Sequence, residues 1–264
     1  MKPPEPVTPE AQFVAPADYA SYLRLDLVLG AQHPLADDEA VRHDEALFIV
    51  HHQIAELWLN LLLRELGLAR RALASDDAER AVQALARAEK ILHQLVGQWP
   101  VIDTMTSEMF GRIRPRLGSA SGIQSAQFAA LDLLVGRRPA TSPRLDSSSD
   151  PRPSLFDETL RWLHRQGHPV PPAYTERDWS ETREASPQLV ELLRRIRRQR
   201  EAFPQERLVL DYLAGFDAYM RLWRLEHVRV TARLIGDLPG TAGTAGVAYL
   251  RRAVDRMYFP ELFC

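Results

Sequence analysis

Apolar residues along this chain recur at spacings of three and four, the period of a helix with one buried face. In RHDEALFIVHHQIAELWLNLLLREL (42–66) the apolar run is almost unbroken. A helix is expected there from His43 to about Leu68, with Leu47, Val50, Ile54, Leu57 and Leu61 forming its stripe. Upstream, PADYASYLRLDLVLGAQ predicts a helix capped by Asp18, with Tyr22, Leu25 and Leu29 on one face. SDDAERAVQALARAEKILHQLVGQW predicts an amphipathic helix with an acidic first turn and Ser75 as its cap. SLFDETLRWLHRQGH reads as a short helix ended by Gly167. Two longer ones follow, ASPQLVELLRRIRRQREAF and ERLVLDYLAGFDAYMRLWRLEHVRVTARLIG, and then a last helix and tail in VAYLRRAVDRMYFPELF. Strict alternation and internal repeats are absent, so the expected fold is an all-α helical bundle. Residues 17–264 are expected to form one helical domain behind a flexible arm (1–16). The Pro- and Ser-rich stretch 137–153 is expected to be a loop.

Composition narrows the partners. A net charge of -2 gives no electrostatic footing for nucleic acid or an anionic membrane. His, Glu or Arg interrupts each apolar run before the roughly 20 residues of a membrane span, so no membrane segment is expected. The opening MKPPEPVTPEAQ has no apolar signal region. The single cysteine, Cys264, excludes an internal disulfide and CxxC zinc sites, and a reducing cytoplasm is the expected location.

Histidines carry the chemistry. Phe48 and His52 are four apart and project from the same side of their helix, with Glu56 one turn further; His51 lies roughly 100° away. His52 reads either as a buried histidine bonded to a carbonyl or to Glu56, or as a functional group. His227 stands in the stripe Phe216, Met220, Trp223, His227, Val230, Leu234 and poses the same choice, since neutral imidazole is a common ligand to metals and haem iron. A ferritin-like di-iron site is excluded because no Glu-x-x-His occurs. His43 and Glu45 diverge at the helix start, where Asp44 is expected to cap. A Cys–His pair, a GxSxG elbow and a P-loop are all missing.

Five segments, in order, resemble the tryptophan 2,3-dioxygenase family: YASYLRLDLVLGAQHPL, HDEALFIVHHQIAELW, TMTSEMFGRIRPRLGSASGIQS, WRLEHVRVTARLIGDLPGTAGTAGVAYL and FPELF. The resemblance covers nearly the whole chain and implies a haem b in a helical homotetramer that oxidises L-tryptophan with O2, cleaving the indole C2–C3 bond to give N-formylkynurenine. It implies His227 as proximal haem-iron ligand, His52 as the distal histidine beside the indole N–H, and Phe48 as the aromatic residue near it. Arg114 matches the arginine that holds the substrate carboxylate, Thr241 the threonine near the ammonium, and Ser121 a serine on the distal side. Tyr19, Tyr22 and Leu23 match an N-terminal segment that reaches a neighbouring subunit's pocket. His51 falls at a variable position of the family's pattern.

Departures gather around the implied pocket. Phe110 replaces a tyrosine near the carboxylate, Ile123 a phenylalanine and Ala129 an arginine. The loop GTAGTAG carries Ala242 for glycine and Ala245 for serine. It is expected to close differently, because alanine tolerates positive φ poorly. These changes bring in a substituted tryptophan as substrate, or mono-oxygenation to a 2-oxindole, as alternatives. A haem-binding sensor without turnover is a third reading.

Overall fold

The computed structural model describes residues 18–137, 152–181 and 183–263. The expected arm at 1–16, most of the loop at 137–153, and Cys264 lie outside the described residues. Among those described there is no strand, and the helical architecture is as expected.

In chain order the helices are α1 Tyr19–Leu23, α2 Leu25–Leu29, α3 Glu39–Ala74, α4 Ala78–Gly97, α5 Trp99–Ile102, α6 Ser107–Leu117, α7 Ala126–Val135, α8 Leu155–Arg165, α9 Pro187–Arg198, α10 Pro204–Ile235 and α11 Val247–Val254. The single helix expected around Tyr22 is broken in two. Arg24 turns into the left-handed region at φ 51°, and neither α1 nor α2 buries a residue. Asp18 does cap α1, accepting from the Ser21 N–H.

Helix α3 starts earlier and ends later than its periodicity suggested. Its cap is Asp38, which accepts from the Val41 N–H, and Asp44 lies inside the helix. Gly67 is buried within it. Ser75 closes α3, while Asp77 caps α4. A polar residue near a boundary is thus legible as a cap, but which boundary it serves depends on where the backbone turns. By length and composition α3 is also apolar enough to cross a membrane. Glu56 is the only charged side chain from Ala46 to Leu63, so the run is longer than expected. In this fold α4, α6, α7 and α8 pack along it.

Two apolar clusters organise the molecule. The larger joins the second half of α3 to α4, α8, α9 and the first half of α10, through side chains such as Leu62, Leu66, Phe156, Leu160, Trp162 and Leu213. The smaller gathers Val41, Trp99, Ile102, Phe110, Ile113 and Val230 from α3, α5, α6 and α10, with Met105 from the turn between α5 and α6. Trp223 packs against both. Asp217, buried on α10, ties down the C-terminal turn by accepting the Tyr258 and Phe259 N–H groups, each at 2.9 Å. Tyr258 in turn donates to Asp132 on α7 at 2.8 Å.

Candidate active site

The smaller cluster ends in a set of rings supplied by four helices. Phe48 and His52 on α3 lie 4.2 Å apart between ring centroids, as their i,i+4 spacing demands. Phe110 on α6 reaches Phe48 at 5.9 Å. His51 stands edge-on to His52 at 5.3 Å and meets Trp99 of α5 at 5.2 Å. Trp99 then stacks on His227 of α10, 5.4 Å apart and 21° from parallel, and Trp223 reaches the same imidazole at 5.5 Å. His52 and His227, 175 positions apart in sequence, therefore belong to one array.

The stripe expected on α3 is not its buried face. Val50, Ile54 and Leu57 are exposed, whereas His51 is buried together with Leu59, Leu62 and Leu66. The helix is apolar on nearly every side, so period alone does not reveal which side turns inward. His51, which falls at a variable position of the resemblance, is the histidine that the fold buries. His52 reaches solvent. Its Nδ1 lies 2.7 Å from the Phe48 carbonyl, which only accepts, so Nδ1 carries the proton and Nε2 offers a lone pair.

All three imidazoles are biased towards the neutral form. Burial pushes His51 down to about 4, helped by the proximity of His52 and His227. Burial likewise pushes His227 to about 4, with repulsion from His52 adding to it. Desolvation by the surrounding protein lowers His52, against the opposing bond to the Phe48 carbonyl and the charge of Glu56. His52 is crowded by protein while part of its surface meets solvent, as in a concave site.

Arg114 follows Phe110 by one turn of α6 and is half-buried. Its guanidinium donates to the Pro239 carbonyl, while the Thr241 hydroxyl donates to the Ala120 carbonyl at 2.6 Å. These two bonds clasp the glycine-rich loop to α6 and to the turn that follows it. Ser121 caps that turn, its hydroxyl accepting from the Ile123 N–H at 3.4 Å. The loop does not strain its alanines. Gly243 and Gly246 take its left-handed positions, at φ 73° and 55°, whereas Ala242 and Ala245 stay outside that region. At Gly246 a Cβ would also clash with the Leu238 carbonyl oxygen, so glycine is required there on both counts. Of the pocket substitutions, Phe110 and Ala129 are buried and Ile123 is half-buried.

The fold brings Phe48, His52, Phe110 and His227 into one array, with Arg114, Ser121 and Thr241 on adjoining elements. It does not bring Tyr19, Tyr22 or Leu23 there within the chain. They are 74%, 72% and 39% exposed on α1. Sequence reasoning passed over Trp99 and treated Trp223 only as a stripe position. The four-residue step from Trp223 to His227 was a usable signal; Trp99, at the end of an amphipathic pattern, gave none.

The donor set indicates which cofactor could fit. No group of three or more His, Cys, Asp or Glu among the described residues is arranged to hold a metal ion. A metal bound at His227 must therefore bring most of its ligands with it, as haem iron does. The indole N–H groups of Trp99 and Trp223 beside His227 are buried without an acceptor. An unmet buried donor costs about 1–3 kcal/mol, and a large apolar group with polar edges suits such surroundings. The residues present fit a haem.

Comparison with known proteins finds relatives along most of the chain. A family model described as tryptophan 2,3-dioxygenase matches residues 8–148 and 190–264. Curated proteins named tryptophan 2,3-dioxygenase align along nearly the whole chain. That of Myxococcus xanthus is 39% identical, covering 93% of this chain and 87% of the relative. That of Bordetella pertussis is 39% identical over 96% and 92%, and that of Bradyrhizobium diazoefficiens 38% identical over 96% and 93%.

Proposed function

We propose that this chain, which belongs to the tryptophan 2,3-dioxygenase family, uses haem b to insert both atoms of O2 into the indole ring of L-tryptophan, cleaving C2–C3 to give N-formylkynurenine. The observation that carries this reading is the pair of neutral imidazoles, His52 and His227, at separate places in one aromatic array.

His227 would hold the iron, because its depressed pKa keeps a lone pair available at neutral pH. Bound haem supplies the O2 chemistry, and the protein supplies binding and orientation. The His52 Nε2, left an acceptor by the bond at Nδ1, accepts the indole N–H and orients the ring. Phe48 and Phe110 provide an apolar wall for that ring and keep water from it. Arg114 spends one N–H on Pro239 and keeps the rest of its fork for the substrate carboxylate. Thr241 donates its proton to Ala120, so its oxygen lone pairs are free to take the ammonium. Both oxygen atoms end in the product, so no external reductant is consumed per turnover.

The exposed apolar side chains of α1 and α2, with Val50, Ile54 and Leu57 on α3, support a homo-oligomer, proposed as a tetramer. A cytoplasmic location belongs to the same proposal, since a reducing compartment suits ferrous haem.

The test is turnover of L-tryptophan by the reduced, haem-loaded protein under isotopically labelled O2, read by product mass. The expected product is ring-opened and carries two labelled atoms. A closed-ring product with one labelled atom, or haem binding with no product, would overturn the proposal.

A further inference from the structure

A concavity lies at the junction of α9, α10 and the C-terminal turn. The run RRIRRQR (194–200) ends α9 and begins the loop to α10. Its Arg194, Arg197, Arg198 and Arg200 line a cavity of about 340 Å³ together with Arg207, Asp211, Glu261 and Leu262. This volume falls in the range of small-molecule sites. Five arginines line the cavity against two carboxylates. One of these, Glu261, is already neutralised from behind by Arg183, at 2.8 Å. In a chain with a net charge of -2, the positive surplus is local.

Two of the arginines are held in place. Asp211 accepts from Arg197 at 3.0 Å and is bridged to Arg207 at 3.1 Å, so a single carboxylate positions two guanidinium groups. Arg197 also donates to the Leu262 carbonyl at 2.7 Å. Arg194 pairs outward with Glu191 at 2.7 Å. Arg198 and Arg200 have no ion-pair partner among the described residues. Complementing the carbonyl end of α9 accounts for one or two cations in the last turn. It does not account for a concave set completed by Arg207 from the start of another helix.

We propose that this cavity binds a small organic polyanion carrying two or more phosphate or carboxylate groups. The held guanidinium groups of Arg197 and Arg207 are pre-organised, which lowers the cost of ordering on binding. Arg198 and Arg200 supply charge-assisted donors with no carboxylate partner among the described residues.

The test is titration calorimetry on the full chain at physiological salt, with inorganic pyrophosphate and citrate as separate probes. The expected result is saturable one-site binding, weakened at least tenfold in R198Q/R200Q and unchanged in R80Q, a surface control on α4. Tighter binding of pyrophosphate identifies a phosphorylated ligand, and tighter binding of citrate a polycarboxylate. Retained affinity in R198Q/R200Q, or no saturable binding of either probe, would overturn the proposal. Both substituted side chains are exposed, so loss of fold does not confound the result.

Discussion

Helix α3 passes through two regions that solve opposite problems. Along its second half Leu62, Leu66, Ala69 and Leu73 are wholly buried against α4 and α8, and the chain's own side chains complete the packing. Along its first half Val50, Ile54 and Leu57 face outward and His52 meets solvent. The same helix is thus finished from within at one end and left to be completed by ligands or a second chain at the other. Packing is complete along the second half of α3, and exposed apolar surface lies along the half where chemistry is proposed.

The sharpest way to break this contrast is at His227. His227→Ala should reduce haem occupancy more than tenfold, read from the Soret band of protein expressed with excess haem, while far-ultraviolet circular dichroism stays that of a helical fold. Normal occupancy with an unchanged Soret band would remove His227 as the ligand and with it the division between the regions. Next in size is Leu66→Ala at the far end. Truncating a fully buried leucine should cost about 2–5 kcal/mol in denaturant unfolding. Haem affinity of the folded fraction should be unchanged. A parallel loss of haem affinity would mean that the two ends form one cooperative site.

The sequence was informative in proportion to how one-sided each element is. On α10 the stripe through Phe216, Met220, His227 and Val230 faces inward as expected, because charged residues such as Arg221, Arg229 and Arg233 occupy other faces. On α3 nearly every side is apolar, so the period predicted a helix but selected Val50, Ile54 and Leu57, which are exposed. Pairing of Phe48 with His52 followed from helical geometry alone. The clasps from Arg114 to Pro239 and from Thr241 to Ala120 join residues more than a hundred positions apart, which no local pattern reports. The same holds for Trp99, whose role depends on α5 meeting α10. The resemblance to a known family named Arg114 and Thr241; the structure supplies the loop that they hold.

The buried histidine of the first half, His51, predicts a pH dependence for the protein free of haem. His51 titrates at about 4 when folded and near 6.5 when unfolded. Between these values the unfolded chain binds more protons, so stability falls as the pH drops from about 6.5 towards 4. It is fully present above 6.5. At 7% exposure the shift is worth at most about 3 kcal/mol. His51→Phe should flatten part of the slope of Tm against pH over this window. An unchanged slope would place the uptake on other groups.

Arg114 gives the smallest of these effects and the most specific. Loss of a charge-assisted hydrogen bond costs about 1.5–3 kcal/mol, so Arg114→Ala should raise KM for L-tryptophan roughly 10- to 100-fold. Because this side chain also holds the Pro239 carbonyl, a rise in KM alone would not separate a lost carboxylate contact from a loosened loop. Tryptamine, which has the indole and ammonium but no carboxylate, separates them. If Arg114 binds the carboxylate, Arg114→Ala should leave tryptamine affinity nearly unchanged. If it acts only by clasping the loop, both ligands should weaken together. Arg114→Lys keeps the charge but loses the planar fork, and should recover only part of the tryptophan affinity. An unaltered KM in the alanine variant would put the carboxylate elsewhere and leave Arg114 as part of the finished, structural half of the molecule.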